Sequence, residues 1–314
     1  MKNRKMVLVA MLVLIGLPVA VAVAEAVLYG IRNRHNGSIV SSGVEREYVL
    51  YVPSTYDRTR PAPLVITLHG AGMWGAAQRE VSRWDEVAER EGLIVVYPSG
   101  AGGRGPRVWR ADPTVSAPRD VTFISDLIDH LARTYSIDPA RIYANGLSNG
   151  GGMSFALSCT LGGRIAAVGM VGAAHLVPFT SCPDPRPVPA IALHGTADRF
   201  TRYHGGKSWV APRPFPDIPT WMANWARRNQ CEPDPVDTPV AADVVRRDYH
   251  NCVDRADVVL YTIRDAGHTW PGGGPLPEWF LGTTPTSIDA SSVMWEFFKE
   301  HPLRGRTAGF AAGR

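Results

Sequence analysis

The chain has 314 residues, 45% of them hydrophobic, which is enough to bury a sizeable core and far from the composition of a disordered segment. Its formal charge of +4 falls to +1 once Lys2, Arg4 and Lys5 are set aside, and no basic stripe interleaved with aromatics follows, so nothing points to nucleic acid as a partner. Four cysteines without a CxxC pair speak against a cysteine zinc site.

Residues 1–24 join a basic start to an uncharged run from Met6 to Ala24, closed by Ala22-Val23-Ala24. That pattern reads as a secretory signal peptide. The run also approaches the length of a bilayer span, so an uncleaved signal anchor, a membrane tether through residues 6–24, stays open. Lipidation near the N-terminus is disfavoured because the first cysteine is Cys159. Residues 25–43 are polar and turn-rich and read as a linker. One domain is expected over 44–303, with a short tail over 304–314.

The domain opens with a strand in which Tyr48, Leu50 and Val52 alternate with Glu47, Val49 and Tyr51 and which stops at Pro53. Short apolar runs then recur at Leu64 to Leu68, Leu93 to Tyr97, Ile142 to Ala144, Ala166 to Val171, Ile191 to Leu193 and Val258 to Ile263. Continuous runs of this length predict strands buried on both faces. Helical spacing appears between them, most clearly at Val121, Ile124, Leu127, Ile128, Leu131 and Tyr135, with Asp120 placed as N-cap. A second helix is predicted over about Ile288 to Glu300, and a third starting near Pro219, with Trp221 and Trp225 four apart for core packing and Arg227 and Arg228 on a solvated face. Strand and helix in alternation predict an α/β fold, a mostly parallel central sheet with helices on both faces. The stretch from Arg199 to Pro219, rich in proline and carrying Trp209 and Phe215, reads as a surface excursion.

Gly146-Leu147-Ser148-Asn149-Gly150 stands where an apolar strand meets a small-residue helix. A serine hydroxyl needs such a sharp turn to stand clear of the backbone, within reach of a base and beside donors for an oxyanion. In a sheet of this type the partners follow in the order serine, acid, histidine. Asp198 comes just after the strand Ile191 to Leu193 and His268 just after Val258 to Ile263, so all three converge on the carboxyl edge. Asp184 is the alternative acid. His69 and His194 end strands, each inside a Leu-His-Gly triplet, and read as structural residues donating to nearby carbonyls. His175, His204, His250 and His301 lie in loops or at an element end, with no glycine turn to place them. The oxyanion donors expected are the amides of Asn149 and Ala71, with Gly70 as the alternative to Ala71. Trp270, Trp109, Trp279 and Phe280 are the candidate substrate-binding aromatics, Trp270 as a wall of the site and the other three against ordinary packing for each. This chemistry requires no metal and no organic cofactor.

Export permits disulfides, and the pairing chosen here is local: Cys159 with Cys182, Cys231 with Cys252.

Leu68-His69-Gly70, Gly146-Leu147-Ser148-Asn149-Gly150-Gly151, His194-Gly195-Thr196-Ala197-Asp198 and Gly267-His268-Thr269-Trp270-Pro271-Gly272-Gly273 together resemble the polyhydroxybutyrate depolymerase and feruloyl esterase group of α/β-hydrolases, over about Val44 to Pro302. The resemblance implies a secreted serine carboxylic ester hydrolase with Ser148, Asp198 and His268 as its triad. Members acting on solid polyester add a linker and a surface-binding module, which this chain has no room for after Pro302, so soluble or oligomeric esters, feruloyl-type or hydroxyalkanoate-type, are the expected partners. Two other readings stay open on the same residues: acyl transfer to an acceptor other than water, and a non-catalytic, surface-tethered binding protein on this scaffold.

Overall fold

A computed structural model describes residues 34–101, 107–110, 112 and 119–303. The signal or anchor segment, the start of the linker and the tail lie outside the described residues. Ten strands form one sheet. Its middle is parallel: β3 (Ala62–Leu68), β4 (Ile94–Pro98), β5 (Ile137–Leu147), β6 (Ala167–Val171), β7 (Ala190–Gly195) and β10 (Val258–Ile263). One side is extended antiparallel by β2 (Val44–Tyr51) and β1 (Gly37–Ser41), the other by β9 (Val244–Tyr249) and β8 (Val236–Ala241), giving the order β1-β2-β4-β3-β5-β6-β7-β10-β9-β8.

The central strands are mostly apolar, β5 from Ile142 onward, because both of their faces are covered. Leu64, Ile66 and Leu68 of β3 join one core, whereas Val65 between them joins the other. The first core is closed by α3 (Arg119–Thr134), α4 (Asn149–Thr160) and α5 (Ile218–Arg228). The second is closed by α1 (Gly75–Ser82), α2 (Trp84–Glu91) and α6 (Ala290–Glu300). Trp221 and Trp225 of α5 are buried, as their spacing predicts. The mostly parallel sheet with helices on both faces is the α/β-hydrolase arrangement.

Both disulfides pair as expected, Cys159–Cys182 and Cys231–Cys252. Each is worth about 3 kcal/mol in a chain-entropy account, comparable to burying one or two aliphatic side chains. The sheet is therefore held by its two cores, and the bridges secure loops around it.

Four expectations are corrected. The linker over 25–43 ends in structure: Gly37–Ser41 is β1, registered against Val44–Tyr48 of β2. The strand expected over Ile142 to Ala144 starts earlier, at Ile137. Asp120 is not a cap but lies inside α3, where its carboxylate accepts from Arg46 Nη2 at 2.8 Å and from the Arg110 amide at 2.7 Å. A buried guanidinium needs that partner more than a helix end does. Arg227 is exposed as predicted, whereas Arg228 turns inward and donates to the carbonyls of Ser158, Asp184 and Arg186. Among the described residues no helix is long and apolar enough to cross a membrane.

Candidate active site

The segment around Ser148 is shaped by contact with β3. A Cβ placed on Gly146 would come 2.6 Å from the Leu68 carbonyl oxygen, and one on Gly150 only 2.1 Å from it. No residue but glycine allows β5, the turn and α4 to approach so closely. Between those glycines Ser148 sits at φ 54° and ψ −118°, a conformation costing a non-glycine residue on the order of 1–3 kcal/mol. Such strain is retained where the turn has to present a side chain. The Ser148 amide donates to Val171 O at the end of β6 (2.8 Å), which fixes the turn against the next strand.

Asp198 follows β7 on a tight turn. Its Oδ1 accepts from the amides of Phe200 (2.8 Å) and Thr201 (2.9 Å), and its Oδ2 from His268 Nδ1 at 2.7 Å. Burial alone would push this carboxyl up, but donors from His194 and His268 outweigh it and hold the group well below the usual carboxylate range. The Nδ1 hydrogen of His268 is thus committed to Asp198, which leaves Nε2 as the acceptor. His268 is held from the other side by its amide, which donates to Leu281 O at 2.7 Å.

Gly172, directly after β6, brings these groups together. A Cβ there would lie 3.1 Å from His268 Nδ1 and 3.3 Å from Asp198 Oδ2, while its neighbour Val171 takes the Ser148 amide. Ser148, Asp198 and His268 therefore surround the end of one strand. Asp184 is elsewhere: its Oδ1 accepts from the Arg186 amide and its Oδ2 lies against Gly162.

The loop after β3 lies beside Ser148, with a Cβ on Gly70 falling 3.7 Å from the Ser148 Cβ. His69 anchors this loop. Its Nε2 accepts from the Gly100 amide at 2.9 Å, so Nδ1 carries the hydrogen and donates to Gly70 O at 2.8 Å. Burial pushes this imidazole down to about 4, against the pull of the Gly70 carbonyl. Asn149 opens α4, and its amide is among the first helical N–H groups that lack an intrahelical partner.

The aromatics separate into two kinds. Trp270, expected on the wall, is fully buried and donates from Nε1 to Ser291 Oγ, so its ring belongs to the core beneath the loop. Trp109, expected on the rim, is also buried; its indole donates to His69 O at 3.0 Å. By contrast Trp279 is 87% exposed and Phe280 44%. Two further rings went unrecognised in the sequence. Phe200 stacks on His268 at 4.8 Å between centroids, and Trp209, 71% exposed, packs on Phe200 at 5.2 Å. Phe280 closes on Phe200 at 5.1 Å and touches Trp279 at 5.5 Å, so an aromatic strip runs from the surface to the histidine. The adjacency of Phe200 to Asp198 was the available signal. Two shallow cavities, one by Tyr48, His130 and Tyr135 and one by Ser38, Asp126 and Arg133, take no residue from this site.

Residues 46–180 match the model of the family described as Esterase PHB depolymerase. Feruloyl esterase B of Piromyces equi is 32% identical over 230 residues, covering 71% of this chain but 42% of that protein, so the chain spans under half of that relative's length. Feruloyl esterase C of Emericella nidulans is 27% identical over 256 residues, covering 81% and 83%. Among solved structures, an acetyl xylan esterase from Aspergillus awamori aligns over 84% of this chain and 98% of its own with a TM-score of 0.61 at 13% identity, a likeness of fold. With its four motifs brought to one sheet edge, the chain is similar to the polyhydroxybutyrate depolymerase and feruloyl esterase-like group of α/β-hydrolases, which the family model, these relatives and the shared fold all support.

Proposed function

We propose that the protein is an exported serine carboxylic ester hydrolase that works through an acyl-enzyme. The observation that carries this reading is the Asp198–His268 hydrogen bond closed around Gly172, next to the strained Ser148 turn. In the proposed cycle His268 Nε2 takes the Ser148 hydroxyl proton as Oγ attacks the ester carbonyl. Asp198 keeps the imidazole in the required tautomer and stabilises the imidazolium that forms. The amides of Ala71 and Asn149 receive the developing oxyanion; loss of one such donor costs on the order of 3 kcal/mol of barrier. His268 then passes the proton to the departing alcohol, and water repeats the sequence to free the acid.

The aromatic strip supports esters with an aromatic or otherwise flat acyl group, in soluble or oligomeric substrates. Phe200 lies on His268, so an aryl ring entering beside Trp209, Trp279 and Phe280 stays within aromatic contact up to the reacting centre. The names of the feruloyl esterase relatives point the same way. Export is supported by the basic, apolar start of the chain and by two disulfides that use all four cysteines.

The test compares turnover of a short-chain nitrophenyl ester by the protein and by Ser148→Ala, followed by a feruloyl ester, a hydroxybutyrate oligomer and an aromatic diester. A drop of several orders of magnitude in Ser148→Ala and preference for the feruloyl ester are expected. Equal rates with and without the Ser148 hydroxyl would remove the mechanism.

A further inference from the structure

Both stretches proposed to supply the oxyanion amides make contact with Trp109. Its backbone amide donates to Asn149 Oδ1 at 2.6 Å, and Asn149 Nδ2 returns a hydrogen bond to the Trp109 carbonyl at 3.0 Å. This paired contact pins the first residue of α4 to the segment around Trp109. On the other side, Trp109 Nε1 donates to the His69 carbonyl at 3.0 Å, and the indole packs on the imidazole at 5.0 Å between centroids. Each peptide unit is planar, so a carbonyl held at one end fixes the direction of the N–H at the other. The His69 carbonyl shares its peptide with the Gly70 amide, and the Gly70 carbonyl, held by His69 Nδ1, shares its peptide with the Ala71 amide.

We propose that Trp109 and the side chain of Asn149 form a clamp that holds the two halves of the oxyanion site in register. The inference rests on the esterase reading above, and it makes Trp109 and the Asn149 carboxamide positioning groups that act through backbone amides. Trp109 is 3% exposed and its indole bond to His69 is buried, while the pair of bonds to Asn149 is half-buried at the mouth of the turn. A substrate carbonyl in its ground state gains little from this alignment, whereas the negative oxygen of the tetrahedral intermediate depends on it. The clamp therefore acts on kcat and leaves KM almost alone.

The substitution Asn149→Ala removes both side-chain bonds to Trp109 and keeps the Asn149 amide. Trp109→Phe removes only the indole donor to His69. Each is measured beside the unmodified protein and Ser148→Ala for kcat, KM and inhibition by a phenylboronate, which forms a tetrahedral adduct on serine. Expected are kcat values down about ten- to a hundredfold, boronate affinity down in proportion, KM within about twofold, and a double variant less impaired than the product of the singles. If Asn149→Ala fails to fold, Trp109→Phe carries the test, since a phenyl ring fills most of the same space. The clamp is refuted if the folded variants keep wild-type kcat and boronate affinity, or if the loss falls on KM. Activity that survives in Ser148→Ala would instead refute the esterase reading on which the clamp rests.

Discussion

His194 Nε2 lies 3.4 Å from Asp198 Oδ2, the same oxygen that accepts from His268. The Nε2 hydrogen is shared with the Thr201 carbonyl at 2.7 Å, so His194 ties both ends of the acid-bearing turn to the end of β7. It also places a second donor on the carboxylate that orients the proposed base. His194→Leu keeps the volume and removes the donor; about a tenfold loss in kcat is expected, with partial recovery in His194→Gln. Steady-state kinetics of the two variants, with melting temperatures alongside, check this. Equal damage in both would assign His194 to packing alone.

His69 bears on stability as well as geometry. With its imidazole pushed down from 6.5 to about 4, the unfolded chain takes up a proton below pH 6.5 that the folded protein refuses until about pH 4. Stability is therefore lost as pH falls through that window, by on the order of 3 kcal/mol from this group. Urea unfolding at pH 7.0 and pH 4.5, compared between the protein and His69→Gln, measures it. The pH-dependent loss is expected to be smaller in the variant.

Gly172→Ala introduces a methyl group at 3.1 Å from His268 Nδ1 and 3.3 Å from Asp198 Oδ2, at a residue whose φ is +55°. The backbone conformation costs roughly 1 kcal/mol for a non-glycine residue, and the contact drives the pair apart. A fall in kcat of tenfold or more is expected with a modest drop in melting temperature. Full activity would mean that the 2.7 Å contact tolerates displacement.

Trp279 and Trp209 are so exposed that alanine at either leaves folding almost untouched. If the strip reads the acyl group, Trp209→Ala raises KM for a feruloyl ester about three- to tenfold, an effect of the size expected for a lost aromatic contact, and leaves an acetyl ester unchanged. Comparing the two substrates on one variant is the check.

The six central strands are legible in the sequence because burial on both faces writes a continuous apolar run. The edge strands are not. All but the last residue of β8 are exposed, it includes Pro239, and its polar residues resemble a loop. Its partner β9 carries Arg246, Arg247 and Asp248, held by ion pairs with charged neighbours rather than by a core. At the site, the residues that follow strands on short turns are readable, since the strand dictates where the turn lies. Side-chain direction is not. Trp270 is two residues from His268 but points into the core to reach Ser291, and Trp109 is committed to His69 and Asn149, each 40 positions away. Asp120 illustrates the same limit, because its Arg46 partner lies 74 positions earlier.

The Cys159–Cys182 bridge joins the far end of the helix that starts beside Ser148 to the segment that leads into β7 and on to Asp198. The polypeptide between the proposed nucleophile and the proposed acid is thereby fastened to itself outside the sheet, as a belt is by its buckle. Protein made in a reducing compartment is expected to fold on its two cores with that belt undone, its loss of activity exceeding its loss of secondary structure, and oxidation after folding becomes the step that fixes the distance between the arms bearing Ser148 and Asp198.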